Sequence, residues 1–324
     1  DKANSIAQKV ELFTGAVYVF ASVNYRLSPN SVPPGGPDPA RVKFPDHSHD
    51  VGEAIAWLSR NVVRFGGDPN RIALIGHSAG AHLVSLVSTD PSYVTAYGVQ
   101  PWQLIGTVSL DTEAYDIPSR LATAGPMAQA TFHNAFGTPA ENAATGSWSR
   151  GSPLTWAGPG DPPFLLVTQA AAPARVAQVE RMAAALRGGS GAEIFLAPYD
   201  HEGINDAVGA PSDPAGETAA IMSFLARSIA AAAEPRAKLR RHPPRRLITS
   251  AKWPRVRFKL APNLPGVTLR CRLGKGKLRP CGLAPSFRTR PGKHTFRCQA
   301  TSARGRPGPI QRFSFQVRRK GQAP

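Results

Sequence analysis

The residues best suited to covalent chemistry lie at positions 76–80, in the pattern G-x-S-x-G. An apolar run, Ile72-Ala73-Leu74-Ile75, precedes them, and a helix-compatible segment follows at 79–89. A serine hydroxyl becomes a strong nucleophile once a base takes its proton. A tight strand-to-helix turn would present Ser78 at the carboxyl edge of a sheet. The pattern therefore predicts that Ser78 is a nucleophile on an elbow.

The neighbours of Ser78 fit the same chemistry. The backbone N–H of Ala79 would point at the oxyanion that develops when Ser78 attacks a carbonyl carbon. Gly76 and Gly80 would leave room for close approach to neighbouring segments, and His77 completes the elbow. A purely structural turn is the alternative interpretation, but the strand before it and the helix after it favour the elbow.

A base for Ser78 should follow late in the chain, and His201 has the expected position. It lies in PYDHEGIN, residues 198–205, after a predicted strand and before the predicted final helix. A surface histidine in a loop is the alternative interpretation. The other seven histidines lie beside the elbow, at a helix start, in the middle of the chain or in its basic C-terminal part: His47, His49, His77, His82, His133, His242 and His294.

Strands and helices alternate between residues 16 and 233, and this alternation must position the two side chains. The predicted strands are 16–23, 71–76, 104–110, 164–167 and 193–197, and the predicted helices are 49–65, 79–89, 173–187 and 215–233. This order predicts the α/β class, a mostly parallel sheet with helices on both faces. The turn-rich residues 112–160 should supply pocket walls, with the aromatic candidates Tyr115, Phe132, Phe136 and Trp148.

Four segments taken together resemble the α/β-hydrolase fold, in the esterase/lipase branch that has an HGGG-type oxyanion loop. They are VNYRLSP at 23–29, DVGEAIAWLSRN at 50–61, GGDPNRIALIGHSAGAHL at 66–83 and HEGIN at 201–205. The resemblance covers roughly residues 1–233. It implies hydrolysis of acyl esters by a Ser–His–acid triad through an acyl-enzyme, with no organic cofactor and no metal.

The sequence departs from this family at its N-terminus. The chain opens with Asp1-Lys2-Ala3-Asn4, without a Met or a signal-peptide pattern. In the family, the HGGG-type loop precedes VNYRLSP, and no such motif is found here. We therefore expect a hydrolase domain that is incomplete at the N-terminus, with the first strands and the oxyanion loop upstream of Asp1, and a degenerate relative of the family is the alternative.

The acid of the triad is a second departure. In the family it usually follows the strand at 164–168, but the loop after that strand, QAAAPARV, has no Asp or Glu. Some lipases of this fold take the acid from the preceding strand, whose end here carries Asp111. Asp111 is therefore the candidate that orients the imidazole, and Asp116 is second. A helix-cap or turn role for Asp111, with a Ser–His dyad, remains the alternative.

Charge divides the chain sharply near residue 234. Residues 1–233 carry 14 basic and 20 acidic side chains, whereas residues 234–324 carry 25 basic side chains and a single acidic one, Glu234. Such a shift predicts two domains with different surfaces. We expect a hydrolase domain at 1–233, a basic Pro/Arg-rich linker at 234–251 and a second domain at 252–324. No apolar run reaches the length of a membrane span.

The second domain has the pattern of a small β-sandwich. Apolar and cationic residues alternate in VRFKL, VTLRCRL, HTFRCQA and FSFQVR, and Pro/Gly turns separate these runs. The segments Leu269–Leu273, Pro280-Cys281, Pro291–Phe296 and Phe315–Val317 resemble an immunoglobulin-like repeat of large secreted bacterial proteins. That resemblance implies a Cys271–Cys281 disulfide and an extra thiol at Cys298. A Cys271–Cys298 pair is the alternative.

The charge of the second domain suggests a partner. The functional interpretation is adhesion to an acidic cell-wall or polysaccharide polymer, and the alternative is a solubilising arginine-rich surface. The cationic strands lack the aromatic platform that stacks bases, so we expect no specific nucleic acid. The cysteines favour an oxidising compartment, so we expect an extracellular or wall-associated protein.

Two hypotheses about function follow. The first is a secreted, carboxylesterase-like serine hydrolase that acts on small-molecule esters, with Ser78, His201 and Asp111 as its triad. The second is a catalytically impaired hydrolase-fold protein that acts as a polyanion- or wall-binding module. The elbow and His201 favour the first hypothesis, whereas the departures in the acid and oxyanion loops favour the second.

Overall fold

The computed structural model describes residues 6–29, 36–187 and 191–321. They belong to two units, Asp1–Ala230 and Ala231–Pro324.

A four-stranded parallel sheet forms the centre of the first unit, in the order β1-β2-β3-β4. Its strands are β1 (Ile72–His77), β2 (Leu104–Leu110), β3 (Phe164–Gln169) and β4 (Ala192–Ala197). The register pairs His77 with Leu110, and Leu110 with Val167. Ser78 and Asp111 directly follow β1 and β2. They therefore lie side by side at the carboxyl ends of the strands.

Helices lie on both faces of this sheet, and others form the segment between β2 and β3. The helices of the unit are α1 (Ala7–Gly15), α2 (Asp46–Asn61), α3 (Ala79–Thr89), α4 (Ser92–Thr95), α5 (Ile117–Thr123), α6 (Pro126–Phe136), α7 (Pro139–Thr145), α8 (Ser147–Arg150), α9 (Pro153–Trp156), α10 (Pro173–Leu186), α11 (His201–Ala207) and α12 (Glu217–Ala231). Consecutive residues of β2 face the helices on opposite sides of the sheet. Val108 packs in one core with Phe224 of α12, whereas the Ser109 hydroxyl meets Ser85 of α3 at 3.1 Å. The predicted α/β layers are confirmed.

The predicted first strand, residues 16–23, is wrong. Helix α1 ends at Gly15, and residues 18–29 run without a β-ladder. Phe20 stacks on Phe13 of α1, with ring centroids 5.5 Å apart, while Val17 is 93% exposed. Of residues 16–23, only Tyr18 and Phe20 are partly buried, packed with Phe13 of α1, and the other six are exposed, so the segment neither pairs with β1 nor buries most of its apolar side chains.

The second unit is built from β-strands. Its main sheet has the order β10-β9-β12-β13-β6, beside the two-stranded ladders β11-β7 and β5-β8. The strands are β5 (Ala237–Arg241), β6 (Arg246–Thr249), β7 (Arg255–Arg257), β8 (Lys259–Pro262), β9 (Thr268–Leu273), β10 (Arg279–Pro280), β11 (Ser286–Arg288), β12 (Gly292–Thr301) and β13 (Gln311–Arg319). Buried residues from all three sheets, including Val256, Leu260 and Phe296, share one core. The immunoglobulin-like identity of this unit stays a prediction.

Two details of this unit bear on the sequence predictions. The linker expected at 234–251 instead contributes β5 and β6, because Leu239 and Leu247 pack against the core of the unit. Cys271 and Cys281 form a disulfide, which is the pairing that the resemblance implied. Cys298 is a buried free thiol directly opposite Cys271 in the β9–β12 register.

Candidate active site

The turn at Ser78 joins β1 directly to α3. Ser78 has φ 57° and ψ −118°, a backbone conformation that residues other than glycine rarely adopt. Its N–H continues the ladder by donating to the carbonyl of Leu110 at 2.9 Å. Strain of this kind persists where the surrounding structure enforces it, and such sites are often functional.

Close packing explains one of the two elbow glycines. A Cβ on Gly76 would lie 2.3 Å from the carbonyl oxygen of Gly80, so position 76 has no room for a side chain. A Cβ on Gly80 would meet nothing within 4 Å. The close approach expected at the two glycines is therefore between the Cα of Gly76 and the backbone of Gly80, and it requires a missing side chain only at position 76.

Three side chains form one hydrogen-bonded chain at this edge of the sheet. The Ser78 hydroxyl lies 2.9 Å from Nε2 of His201, and Nδ1 of the same ring lies 2.6 Å from Oδ2 of Asp111. An ionised carboxylate only accepts hydrogen bonds, so Nδ1–H donates to Asp111. Nε2 of the neutral ring is then the acceptor for the Ser78 hydroxyl, which is the tautomer a general base needs.

His201 is the first residue of α11, and not a loop residue as expected. Asp200 precedes it as the N-cap, and its side chain accepts from the N–H of Gly203 at 2.8 Å. This cap fixes the start of the helix and, with it, the direction in which the imidazole leaves the backbone.

Asp111 is fully buried and surrounded by donors. Besides His201, it accepts from the Thr168 hydroxyl at 2.8 Å, from Nε2 of Gln169 at 2.6 Å and from Nη1 of Arg175 at 3.1 Å. Burial raises the pKa of Asp111, but the hydrogen bonds from His201, Gln169 and Thr168 and the charge of Arg175 outweigh it. The pKa is held below its ordinary value, so Asp111 is ionised at neutral pH.

Sequence reasoning missed Thr168, Gln169 and Arg175. In the family the end of β3 carries the acid, whereas here this strand end and the helix after it supply donors to a carboxylate that follows β2. The polar pair Thr168-Gln169, at the end of an otherwise apolar strand, was the available signal. Asp116, the second candidate for the acid, lies elsewhere. It caps α5 by accepting from the N–H of Ser119 at 3.2 Å, and it pairs with Arg181.

His77 contacts the backbone of the base. Its Nε2 lies 2.8 Å from the carbonyl oxygen of His201, and the two rings are 4.5 Å apart. Since a carbonyl only accepts, Nε2–H of His77 is the donor. Burial lowers the pKa of His77 below its ordinary value, which keeps the ring neutral at pH 7.

A cavity of about 400 Å³ opens beside these residues, and Ser78, Ala79, Asp111 and His201 line it. Its apolar lining includes Leu27, Phe44, Leu83, Phe132 and Phe136. Phe132 and Phe136 are two of the four predicted wall residues. Of the other two, Tyr115 is buried with its hydroxyl 2.7 Å from that of Ser109, and Trp148 donates Nε1–H to Gly137 O at 2.8 Å.

The predicted oxyanion donor, Ala79, is the first residue of α3. A backbone N–H at this position has no acceptor within the helix.

Within residues 6–29, 36–187 and 191–321, no cluster of three or more His, Cys, Asp or Glu side chains could hold a metal ion. No helix in the same ranges is long and apolar enough to cross a membrane.

The sequence model of the BD-FAE family matches residues 1–176. Among curated proteins of Mycobacterium tuberculosis, a probable carboxylic ester hydrolase, LipM, is 39% identical over 75 residues, and the esterase LipC is 40% identical over 79 residues. These matches cover 23% and 24% of this chain but only 15% and 17% of the relatives. The similarity is thus confined to a small part of the relatives' length.

Solved structures agree on the fold. A hyperthermophilic esterase from the archaeon Pyrobaculum calidifontis superposes with a TM-score of 0.52 and 20% sequence identity, over 69% of this chain and 70% of that one. At this identity the likeness shows the fold alone. The predicted α/β-hydrolase fold is confirmed.

Proposed function

The chain belongs to the BD-FAE family, and from that membership and the geometry around Ser78 we propose that it is a carboxylic ester hydrolase. The observation that carries the proposal is the unbroken hydrogen-bonded chain from Ser78 through His201 to the buried Asp111, at the wall of a cavity. Nucleophile, base and orienting carboxylate then have the mutual arrangement that acyl transfer requires.

The mechanism follows from the donors and acceptors. Ser78 Oγ attacks the ester carbonyl carbon while Nε2 of His201 takes the hydroxyl proton. The negative oxygen that forms accepts a hydrogen bond from the N–H of Ala79. His201 returns the proton to the departing alcohol and leaves an acyl ester on Ser78. A water that His201 deprotonates then attacks the acyl carbon, the bond from Ser78 Oγ to that carbon breaks, and His201 returns the proton to Ser78 as the acid leaves. Asp111 stabilises the imidazolium in both halves of the cycle.

The direct test is labelling by a fluorophosphonate probe, followed by hydrolysis of p-nitrophenyl butyrate. Ser78→Ala and His201→Ala should abolish both signals, and the exposed Ser92→Ala is the matched control that should retain them. A folded protein that the probe does not label, or labelling that survives Ser78→Ala, would contradict the proposal. The first outcome would point to a catalytically impaired protein, and the second to a nucleophile other than Ser78.

A second function is proposed for residues 231–324: attachment to an anionic polymer outside the cell. The register of the main sheet aligns Arg272, Arg297 and Arg312 across three neighbouring strands. Like charges directly opposite each other destabilise a sheet, and a bound polyanion would offset that repulsion. The Cys271–Cys281 disulfide supports an oxidising location.

Retention on heparin resin over a salt gradient tests this attachment. We expect elution at moderate salt and earlier elution for Arg297→Gln, because fewer counterions are released on binding. Elution of the unchanged protein at low salt would contradict attachment, as would an unchanged position for Arg297→Gln.

A further inference from the structure

A second serine–histidine pair lines the cavity that contains Ser78. The Ser28 hydroxyl lies 3.1 Å from Nε2 of His47, and both residues contribute to the cavity wall. Ser28 belongs to the extended segment before residue 30, and His47 is in the first turn of α2. Neither residue touches the Ser78–His201–Asp111 chain through a described hydrogen bond.

The segment that carries Ser28 is tied down on two sides. Arg26 forms a two-pronged ion pair with Asp50 of α2, with Nε–Oδ2 and Nη2–Oδ1 distances of 2.9 and 2.8 Å. On the other side, Nδ2 of Asn134 in α6 donates to the carbonyl of Pro29 at 2.6 Å. These anchors hold the Ser28 hydroxyl against His47, so the pair is organised before any ligand arrives.

In either direction of the Ser28–His47 hydrogen bond, the Ser28 hydroxyl can make one further hydrogen bond to a ligand. Burial lowers the pKa of His47 against the opposing influence of Asp46 and Asp50, so the ring is neutral at pH 7. If Nε2–H donates to Ser28, the serine hydroxyl hydrogen is available to a ligand oxygen. If Ser28 donates instead, its oxygen lone pairs remain available. A ligand hydroxyl, which both donates and accepts, satisfies either arrangement.

Ser48 adds an independent observation. It lines the same cavity, next to His47 in the chain, and its buried hydroxyl has no hydrogen-bond partner in the part of the chain that the structure describes. Leaving a buried hydroxyl unpaired costs stability, and a ligand oxygen that reached it would remove the cost. Much of the remaining wall is apolar, including Phe44, Leu83 and Phe136, and could hold a plain alkyl chain without these polar groups.

We propose that Ser28, His47 and Ser48 form a polar subsite that binds a hydroxyl group of the ester substrate. The protein therefore prefers hydroxylated esters to alkyl esters of the same size. This inference rests on the proposed function, because Ser78 must cleave the ester whose hydroxyl is bound. The hydroxyl belongs to the acyl or to the alcohol part, and the two arms of the test distinguish these sources.

The experiment compares kcat/KM within two pairs of esters. The acyl arm uses p-nitrophenyl 3-hydroxybutyrate against p-nitrophenyl butyrate, and the alcohol arm uses 2,3-dihydroxypropyl butyrate against propyl butyrate. We expect a preference for the hydroxylated ester of about tenfold or more in at least one arm, the value of one good hydrogen bond. Ser28→Ala and His47→Gln should reduce that ratio to near one, and Ser48→Ala should reduce it in part.

Thr131→Val is the matched control, since Thr131 lines the cavity but its hydroxyl is already committed to the carbonyl of Met127 at 3.1 Å. Its preference ratio should equal that of the unchanged protein. An unchanged ratio in both Ser28→Ala and His47→Gln, or no preference in either arm, would overturn the subsite while butyrate hydrolysis still depended on Ser78. If the unchanged protein neither hydrolysed any of these esters nor reacted with the fluorophosphonate, the proposed function would be overturned, and the subsite with it.

Discussion

Nδ1 of His201 lies 2.6 Å from Oδ2 of Asp111, a carboxylate that follows β2 and stands 90 positions earlier in the chain. Asp111 reaches the ring because it turns out of β2 with φ 52°, while its N–H still donates to Val167 of β3 at 2.8 Å. The side chain is thereby aimed along the edge of the sheet towards α11. Arg175, Gln169 and Thr168 hold it there in its ionised form.

Asp111→Asn should lower kcat on p-nitrophenyl butyrate by about 1,000- to 10,000-fold, because an amide in place of the carboxylate favours the wrong imidazole tautomer. Asp116→Asn is the matched control. It should leave kcat within a few-fold and cost less than about 1 kcal/mol of stability, because asparagine caps a helix about as well as aspartate and the exposed pair with Arg181 contributes little. Equal losses of activity in the two variants would argue against Asp111 as the orienting acid.

Arg175→Gln should move the acid limb of the pH–rate profile to higher pH. The guanidinium helps to hold the pKa of Asp111 down, and its removal raises that pKa, so the carboxylate that accepts from His201 Nδ1 is protonated up to a higher pH. Activity then requires a higher pH. The measurement is kcat/KM between pH 4 and 9, with Arg181→Gln as control, since Arg181 pairs with Asp116 instead. A profile of Arg175→Gln that coincides with that of the control would contradict this reasoning.

His77→Phe should reduce kcat by about tenfold, the value of one hydrogen bond, because the carbonyl of His201 loses its donor. His77→Gln keeps an N–H donor on a side chain of similar length and should recover much of the loss, whereas a merely space-filling role would favour Phe. The readout is kcat at saturating ester, together with KM, which should change little. Full activity of His77→Phe would show that the contact does not position the base.

Gly76→Ala should destabilise the first unit by about 3 kcal/mol or more, because its Cβ would lie 2.3 Å from a backbone oxygen that cannot move without shifting α3. Gly80→Ala should stay within about 1 kcal/mol of the unchanged protein, since its Cβ meets nothing within 4 Å. Urea unfolding of the two variants measures the difference. Similar midpoints would contradict the packing at the elbow.

Glu217 should make the folded state less stable as pH rises from about 4.5 to 8. Burial raises its pKa to about 8, and neither carboxyl oxygen has a hydrogen-bond partner in the described ranges. Between the unfolded and folded pKa values the folded state binds more protons, so the free energy of unfolding falls with pH, by at most about 1.4 kcal/mol per unit. Glu217→Gln should flatten this slope in urea titrations at pH 5, 6.5 and 8. An equal slope in both proteins would place the titrating group elsewhere.

The choice between Asp111 and Asp116 as the acid of the triad could not be made from the sequence. Asp111 and Asp116 both follow β2 within a few residues, and nothing local to either one distinguishes an orienting carboxylate from a helix cap. The bonds that do so join Asp111 to residues 57, 58, 64 and 90 positions away. The turn of the chain at Asp111 selects between the two candidates, and a backbone angle of that kind has no signature in the residue pattern.

The first predicted strand failed for a related reason. Residues 16–23 have the apolar content of a buried strand, but a strand also needs a neighbour with which to pair. Phe20 instead stacks on α1, a helix that the periodicity had not predicted. The apolar composition predicted burial of the whole segment, but only Tyr18 and Phe20 are partly buried and the other six residues are exposed, because burial depends on neighbours that the fold as a whole supplies.

The sequence by itself determined the four strands β1 to β4, the helices α3, α10 and α12, the elbow at Ser78 and the candidacy of His201. These depend on local periodicity, on turn residues and on chain order, all of which are short-range properties of the polypeptide. Only the tertiary structure decided that Asp111 meets His201, that Gln169 and Arg175 hold it, and that Ser28 and His47 share the cavity of Ser78. Those contacts join residues far apart in the chain, and they exist only once the strands are aligned and their ends meet at one edge of the sheet.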